Sequence, residues 1–151
     1  VYREIFEIDE VTSQRMVREF YQSKDFMDLV PIKGSQKAMY KLRRHSNKMY
    51  IVTGRQDVVR EETEIWIESF FPGIFDDVIL TNSFTPNEIH KADICRALNI
   101  GLIIDDNKSI CDRCIEDGVR AINYIGEDIY PWCEESDISI RDWNELKIYD
   151  A

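Results

Sequence analysis

The stretch GLIIDDNKSICDRCIEDGVRAINYI, residues 101–125, decides the fold. It holds two short apolar runs, at 101–105 and 120–125, and between them a segment with helical spacing at 108–117 that ends at Gly118. Short apolar runs that alternate with helices are typical of parallel strands covered by helices. The stretch therefore predicts a strand-helix-strand unit of an α/β fold.

The same alternation continues toward the N-terminus. Two more apolar runs, MYIVT at 49–53 and DVILT at 77–81, are each followed by a helical pattern, the first from Asp57 to Phe71 and the second near 90–98. Ser35 is a candidate N-cap for a further helix that ends near Arg44. We therefore expect a three-layer, Rossmann-like parallel sheet with helices on both faces.

The two ends of the chain have weaker patterns. Ser13 can cap a helix that ends near Ser23, and residues 126–138 are acidic and irregular. The segment SIRDWNELKIYD predicts a short final helix with Trp143 and Leu146 packed inward. Because no repeat or linker divides the chain, we expect a single domain over 1–151, with 1–34 as a partial cap and connection and 35–151 as the core.

Charge and composition exclude several classes of function. The chain has 19 Lys and Arg against 29 Asp and Glu, a formal net charge of −10, which disfavours a broad surface for nucleic acid polymers. No stretch approaches the roughly 18 apolar residues of a membrane span, and the acidic first residues are unlike a signal peptide. We expect an intracellular, cytoplasmic protein that contacts no membrane, with a protein partner or a second copy of the chain left open.

The cysteines are expected to be reduced. Four cysteines are few for a disulfide scaffold in a chain of 151 residues. Cys111 and Cys114 have the CxxC spacing of a redox pair or half a zinc site, but no second CxxC and no histidine set accompanies them. Packing of both side chains on the inner face of a helix is the simpler interpretation. The three tryptophans are likewise expected to pack in the core or half-buried rather than to stack on a base: Trp66, Trp132 and Trp143.

Polar residues follow the predicted strands at their carboxyl ends, where the ligand crevice of an open parallel sheet lies. Adjacent carboxylates suit Mg²⁺ that also binds water and phosphate oxygens. A hydroxyl, a glycine that lets backbone amides approach, and a lysine at a helix start suit a phosphate group. The expected phosphate ligands are Thr53, Gly54, Arg55 and Lys91, and the expected Mg²⁺ ligands are Asp105 and Asp106.

In the order and spacing of these residues along the chain, the sequence resembles the haloacid dehalogenase (HAD) superfamily of phosphohydrolases, and within it the 5′(3′)-deoxyribonucleotidase group. The matching segments are YIVTGRQDVVREETEIWIESFFPGIFDDVILTN and HKADICRALNIGLIIDDNKSICDRCIEDGVRAINY. The resemblance implies that Thr53 binds a phosphoryl oxygen, that Lys91 steadies the phosphate and the nucleophile, and that at least one of Asp105 and Asp106 holds Mg²⁺. It implies a Mg²⁺-dependent phosphomonoesterase that acts on a small phosphorylated substrate such as a nucleoside monophosphate.

The chain departs from the family at the first motif. That motif is a strand ending in Asp-x-Asp, which supplies the nucleophile and the general acid/base and lies centrally, between the strands that correspond here to 49–53 and 101–105. Asp9-Glu10 is the one upstream candidate, and no apolar strand precedes it. The chain also opens on Val1 rather than Met. We expect the nucleophile to lie upstream of Val1 and the chain of residues 1–151 to be inactive alone.

Two other classes of protein compete with this interpretation. A HAD-like module without catalysis, with an interaction or assembly role, would account for the missing motif. A response-regulator receiver domain also combines an acidic pair, a Thr and a Lys around Mg²⁺, but its acidic pair comes first in the chain. Here Thr53 and Lys91 precede Asp105 and Asp106, which disfavours the receiver domain.

Overall fold

The computed structural model describes residues 29–146, in which helices and strands alternate. The helices are α1 (Ser35–Arg44), α2 (Arg60–Phe70), α3 (Lys91–Ala97) and α4 (Lys108–Glu116). The strands are β1 (Tyr50–Thr53), β2 (Asp77–Leu80), β3 (Leu102–Asp105), β4 (Arg120–Tyr124) and β5 (Ser139–Ile140). Short 3₁₀ turns cover Asp57–Val59 and Trp143–Glu145. The predicted α/β class is confirmed.

All strand pairs in the described part of the chain are parallel. β1 pairs with β2, with Tyr50 opposite Asp77. β3 pairs with β4, and β4 pairs in turn with β5. The described strands thus form two small sheets, ordered β1-β2 and β3-β4-β5, rather than one. The expected single sheet is not seen because, among residues 29–146, no strand pairs with both β1 and β3.

Helices cover both faces of the sheet that contains β3. Successive side chains of a strand point to opposite faces. Accordingly Ile103 packs against a cluster from α3 and α4 that includes Cys95 and Cys114, whereas Ile104 packs against a different cluster beneath α1. The second sheet is therefore the middle of three layers.

The cluster beneath α1 connects the two sheets. We call it the α1 cluster; its buried members are Ala38, Met39, Leu42, Met49, Phe71, Ile74 and Leu146. Met49 directly precedes β1, while Ile104, Ile122 and Ile140 reach the same cluster from β3, β4 and β5. Apolar packing is therefore one connection between sheets that share no strand pairing in the described chain.

Several sequence predictions at element ends need correction. Ser35 is the first residue of α1 rather than its N-cap, which is Gly34 in the left-handed region at φ 85°, and the Ser35 hydroxyl is buried without a hydrogen-bond partner. Asp57 starts a 3₁₀ turn rather than capping a helix. In residues 139–146, the described part of the predicted final helix, the chain instead forms β5 followed by a 3₁₀ turn, although Leu146 is buried and Trp143 packs on the α1 cluster as expected.

The cysteine prediction agrees with the structure. All four thiols are free, and Cys111 and Cys114 are fully buried on the inner face of α4. Burial raises the pKa of Cys111 to about 12 and that of Cys95 to about 11, so these thiols are poor nucleophiles. The CxxC spacing here is that of helix packing.

Some predictions concern residues that the structure does not describe. The Ser13 helix, the Asp9-Glu10 candidate and most of the predicted cap segment lie outside the described residues. Within residues 29–146, every helix is too short or too polar to span a bilayer.

Asp76 ties α1 to the start of β1. Its Oδ2 accepts hydrogen bonds from Arg43 Nη1 at 2.6 Å and from the Met49 backbone N–H at 2.8 Å, and its own N–H donates to the Met49 carbonyl at 2.7 Å. These donors, Arg43 foremost, lower the pKa of Asp76 from 3.8 to about 2. The ionised carboxylate is therefore the form that stabilises this junction.

We predict that Asp76→Asn lowers the urea midpoint at pH 7 and that the deficit shrinks in acid. Because the folded-state pKa lies below the ordinary value, the stabilisation is present above about pH 4 and is lost as the pH falls toward 2. Urea unfolding at several pH values measures the difference. Asp77→Asn, a change at an exposed neighbour, is the control; a deficit that stays constant with pH would contradict the prediction.

We also predict that Leu42→Ala costs about 2–5 kcal/mol of unfolding free energy, since it opens a cavity in the α1 cluster. Leu98→Ala is the matched control, because Leu98 is 37% exposed against 9% for Leu42, and its loss should be clearly smaller. Chemical denaturation of both variants measures the difference. Equal losses would mean that the α1 cluster does not support the fold as described.

Candidate functional site

A buried ion pair lies at the carboxyl end of β3. Lys91 begins α3, and its Nζ lies 2.6 Å from Oδ2 of Asp105, the last residue of the strand. The side chains are 16% and 7% exposed, respectively. The other carboxylate oxygen, Oδ1, accepts the backbone N–H of Asn107 at 2.9 Å. The structure thus brings together two of the predicted site residues and holds both oxygens of Asp105.

Asp106 adds a second carboxylate at this end of the strand. The residue is solvent-exposed, yet neighbouring atoms shield its carboxyl group and raise its pKa; nearby Asp105 raises it further, while the Trp132 indole and Lys91 act to lower it. When both are ionised, the two carboxylates and Lys91 leave one excess negative charge. A small cation would relieve that charge.

The backbone around the two acids is held by local hydrogen bonds. Asn107 caps α4, with its Oδ1 accepting the Ile110 N–H at 3.2 Å. On the neighbouring strand, Asn123 is fully buried opposite Asp105 and donates from Nδ2 to the Asp105 carbonyl at 3.0 Å. Asn123 was not among the predicted site residues; its polar side chain inside an apolar run was the available signal.

Trp132 also contacts the acidic pair, which the sequence did not predict. Its Nε1–H donates to Asp106 Oδ2 at 3.1 Å, and the neighbouring Cys133 Sγ lies 3.2 Å from the Asp106 carbonyl oxygen. Trp132 is 62% exposed, so the expectation that it is buried or half-buried is wrong, whereas Trp66 and Trp143 do pack against the α1 cluster. A tryptophan within an acidic, irregular segment was the missed signal.

The predicted phosphate segment after β1 makes a different set of contacts. The Thr53 hydroxyl accepts the Arg55 N–H at 3.4 Å, and Arg55 Nη1 donates to the Thr63 hydroxyl on α2 at 3.0 Å. A Cβ on Gly54 would lie 3.0 Å from Ser83 Oγ, so the glycine accommodates the loop after β2. Arg55 thus holds the segment to α2, and the Ser83 N–H, from the loop after β2, donates to the Gly54 carbonyl at 3.1 Å. None of these bonds links Thr53 to Lys91.

A shallow cleft lies elsewhere on the surface. It measures about 740 Å³ and is lined by residues of α1 and of the end of α2, including Lys37, Lys41 and Arg44. None of its lining residues belongs to the predicted site. The cleft is therefore a separate basic feature of α1.

The donor set at the end of β3 suits Mg²⁺ better than a transition metal. Among residues 29–146, no three His, Cys, Asp or Glu side chains are grouped as a metal site. Mg²⁺ is commonly held by one or two carboxylates together with water and phosphate oxygens, so it needs no such group. Asp106, which is exposed and whose own charge is not neutralised in the described contacts, is the better placed ligand, with Asp105 beside it.

No protein-family model, curated protein or solved structure matches this chain.

We predict that Lys91→Met costs about 3 kcal/mol, because it leaves the Asp105 carboxylate buried without its cation. Adding Asp105→Asn to Lys91→Met should recover part of this loss. The double variant should therefore lose less unfolding free energy than the sum of the losses of the two single variants. A double-mutant cycle in urea measures this coupling. Lys108→Met, which removes an exposed i,i+4 pair with Asp112, is the control and should have little effect. Additive losses would contradict a coupled pair.

Proposed function

We propose that the chain is part of a Mg²⁺-dependent phosphomonoesterase of the HAD type with nucleoside monophosphates as substrates. The observation that carries the proposal is the buried Lys91–Asp105 pair beside Asp106 at the carboxyl end of a parallel strand. It combines an ammonium group for a phosphate with carboxylates for a hard cation. The sequence order Thr53, Lys91, Asp105-Asp106 supports the same family.

The open strand edges support a further, central strand. Among the described residues, β1 pairs only with β2, and β3 pairs with β4 on one side alone. All four residues of β1 are partly exposed, although parallel strands are generally buried on both faces. Buried backbone groups are almost always paired. We therefore infer that a strand from outside residues 29–146 pairs with β1 and β3 and carries the nucleophilic aspartate.

The proposed reaction uses each group in a defined way. The aspartate oxygen attacks phosphorus as the bond to the leaving oxygen breaks, and the general acid of the same motif protonates that oxygen to give the alcohol. Water, which gives up a proton to the same group, then attacks the phosphoaspartate, releases inorganic phosphate and restores the aspartate. Lys91 supplies positive charge to the phosphoryl oxygens, and Thr53 donates its hydroxyl to one of them. When bound at Asp105 and Asp106, Mg²⁺ would offset negative charge on the phosphate. We propose that the reaction takes place in the cytoplasm.

One observation favours a second candidate, a HAD-like interaction module without catalysis. Both oxygens of Asp105 already have protein donors, Lys91 and the Asn107 N–H. A pair that only stabilises the fold would have the same contacts. In that case Asp106 would bind no cation.

The test is phosphate release from nucleoside monophosphates with Mg²⁺ by the protein expressed from its natural start codon. We expect turnover, and a loss of about 100-fold or more in kcat for Lys91→Met and Asp106→Asn, since each change removes charge stabilisation. Asp93→Asn, which alters a partly exposed acid on α3 that pairs with Arg96, should retain activity.

A thermal shift with MgCl₂ and beryllofluoride separates the two candidates. If the protein is a phosphatase, MgCl₂ and beryllofluoride together should raise its Tm, because a ligand that binds the folded state stabilises it. The Tm of Asp106→Asn should not change. An intact protein with neither turnover nor a thermal shift is the inert module, and the proposed reaction is then lost.

A further inference from the structure

We propose that Trp132, supported by Tyr130, is a stacking platform for the planar ring of the substrate. The inference rests on the proposed function, because the phosphate of that substrate would bind at the neighbouring Asp105-Asp106 end of β3. The ligand class is a monophosphate ester that carries an aromatic ring, a nucleoside monophosphate.

The platform is exposed and yet fixed in place. Trp132 is 62% exposed, and Tyr130 stacks on it with ring centroids 4.9 Å apart and planes 11° apart. Because Tyr130 covers one face of the indole, much of the exposed area lies away from Tyr130. A flat apolar surface held in this way can stack on a ring without first losing side-chain freedom.

Short backbone contacts hold Tyr130 in turn. Its N–H donates to the Ile125 carbonyl at 2.8 Å, and its own carbonyl accepts the Cys133 N–H at 2.8 Å. A Cβ on Gly126 would lie 3.0 Å from the Tyr130 ring, and Gly126 has φ 85°. The glycine thus lets the ring lie directly against the backbone at this turn.

A row of aromatic rings connects the platform to the core. The Trp143 ring packs against the α1 cluster and stacks on Tyr124 at 4.9 Å, and Tyr124 lies 6.3 Å from Tyr130. Trp132 is the exposed end of this row. The packing of the interior therefore fixes the position of a surface ring.

The position of the indole beside Asp106 indicates which ligand would stack on it. The hydrogen bond of 3.1 Å from Trp132 Nε1 to Asp106 Oδ2 places the ring against a carboxylate of the candidate metal site. A phosphate bound there would have its ester group close to the indole. Stacking tolerates any base because every base has a π-face, so we expect affinity for nucleoside monophosphates with little preference among bases.

The test compares adenosine 5′-monophosphate, ribose 5-phosphate and adenosine, each with Mg²⁺, by calorimetry and by quenching of tryptophan fluorescence. The protein is expressed from its natural start codon. We expect the nucleotide to bind about 10-fold more tightly than ribose 5-phosphate, because a ratio of this size matches the binding free energy that stacking of one base contributes. Trp132→Ala should abolish that preference, so that the nucleotide and ribose 5-phosphate bind with equal affinity.

Two further variants make the result specific to the ring. Trp132→Phe keeps an aromatic surface without the indole N–H, and should retain most of the preference. Ile65→Ala, at an exposed apolar residue of α2, is the control and should change nothing. Circular dichroism and Tm show that each variant is folded.

The outcomes separate this inference from the function on which it rests. A nucleotide preference that survives in folded Trp132→Ala, or equal affinity for the nucleotide and ribose 5-phosphate, overturns the platform and leaves the phosphate site standing. Quenching by adenosine without any binding of ribose 5-phosphate keeps the platform and overturns the phosphatase. If none of the three ligands binds, both are overturned.

Discussion

The structure depends on the α1 cluster, because apolar packing there connects two sheets that have no strand pairing with each other in the described chain. Met49 comes from the start of the first sheet, while Ile104 and Ile122 come from the second. Packing of this kind is non-directional and depends mainly on buried area. It can hold two sheets side by side, but it does not satisfy the backbone groups along an open strand edge.

This constraint explains which parts of the fold were predictable. The runs that became β1 to β4 are apolar enough to be seen, and α1 to α4 have clear spacing, so most of their ends were predicted within one or two residues. β5 covers only Ser139–Ile140, which is too short for a periodic pattern, and it exists because β4 offers it hydrogen-bond partners. The division into two sheets likewise depends on pairing between distant segments, which local sequence does not contain.

The site was predictable in its residue types and less so in its contacts. In an open parallel sheet, the ends of strands and the starts of the following helices meet at one edge, which was enough to predict that Lys91, Asp105 and Asp106 lie together. The structure brings them together at the carboxyl end of β3. The role of Gly54 depends on Ser83, and the orientation of Trp132 depends on its hydrogen bond to Asp106; both contacts join segments that are distant in sequence.

The net charge is a sum over the whole chain and does not show how charge is distributed on the surface. Residues 29–56 contain no Asp or Glu, and they carry seven cations: Lys33, Lys37, Lys41, Arg43, Arg44, Lys48 and Arg55. The value of −10 therefore does not describe the surface near α1.

The electrostatics of the acidic pair show why burial and exposure must differ between its two members. Asp105 is buried, and its charge is tolerable because Lys91 and the Asn107 N–H meet both oxygens. Asp106 is exposed, so water can solvate the second charge while Trp132 orients one of its oxygens. With Asp105 satisfied by the protein, it is Asp106 whose charge has no neutralising cation of its own in the described contacts. A cation drawn to this end of β3 would gain most from Asp106, and the ring that holds that carboxylate would then border whatever the cation binds.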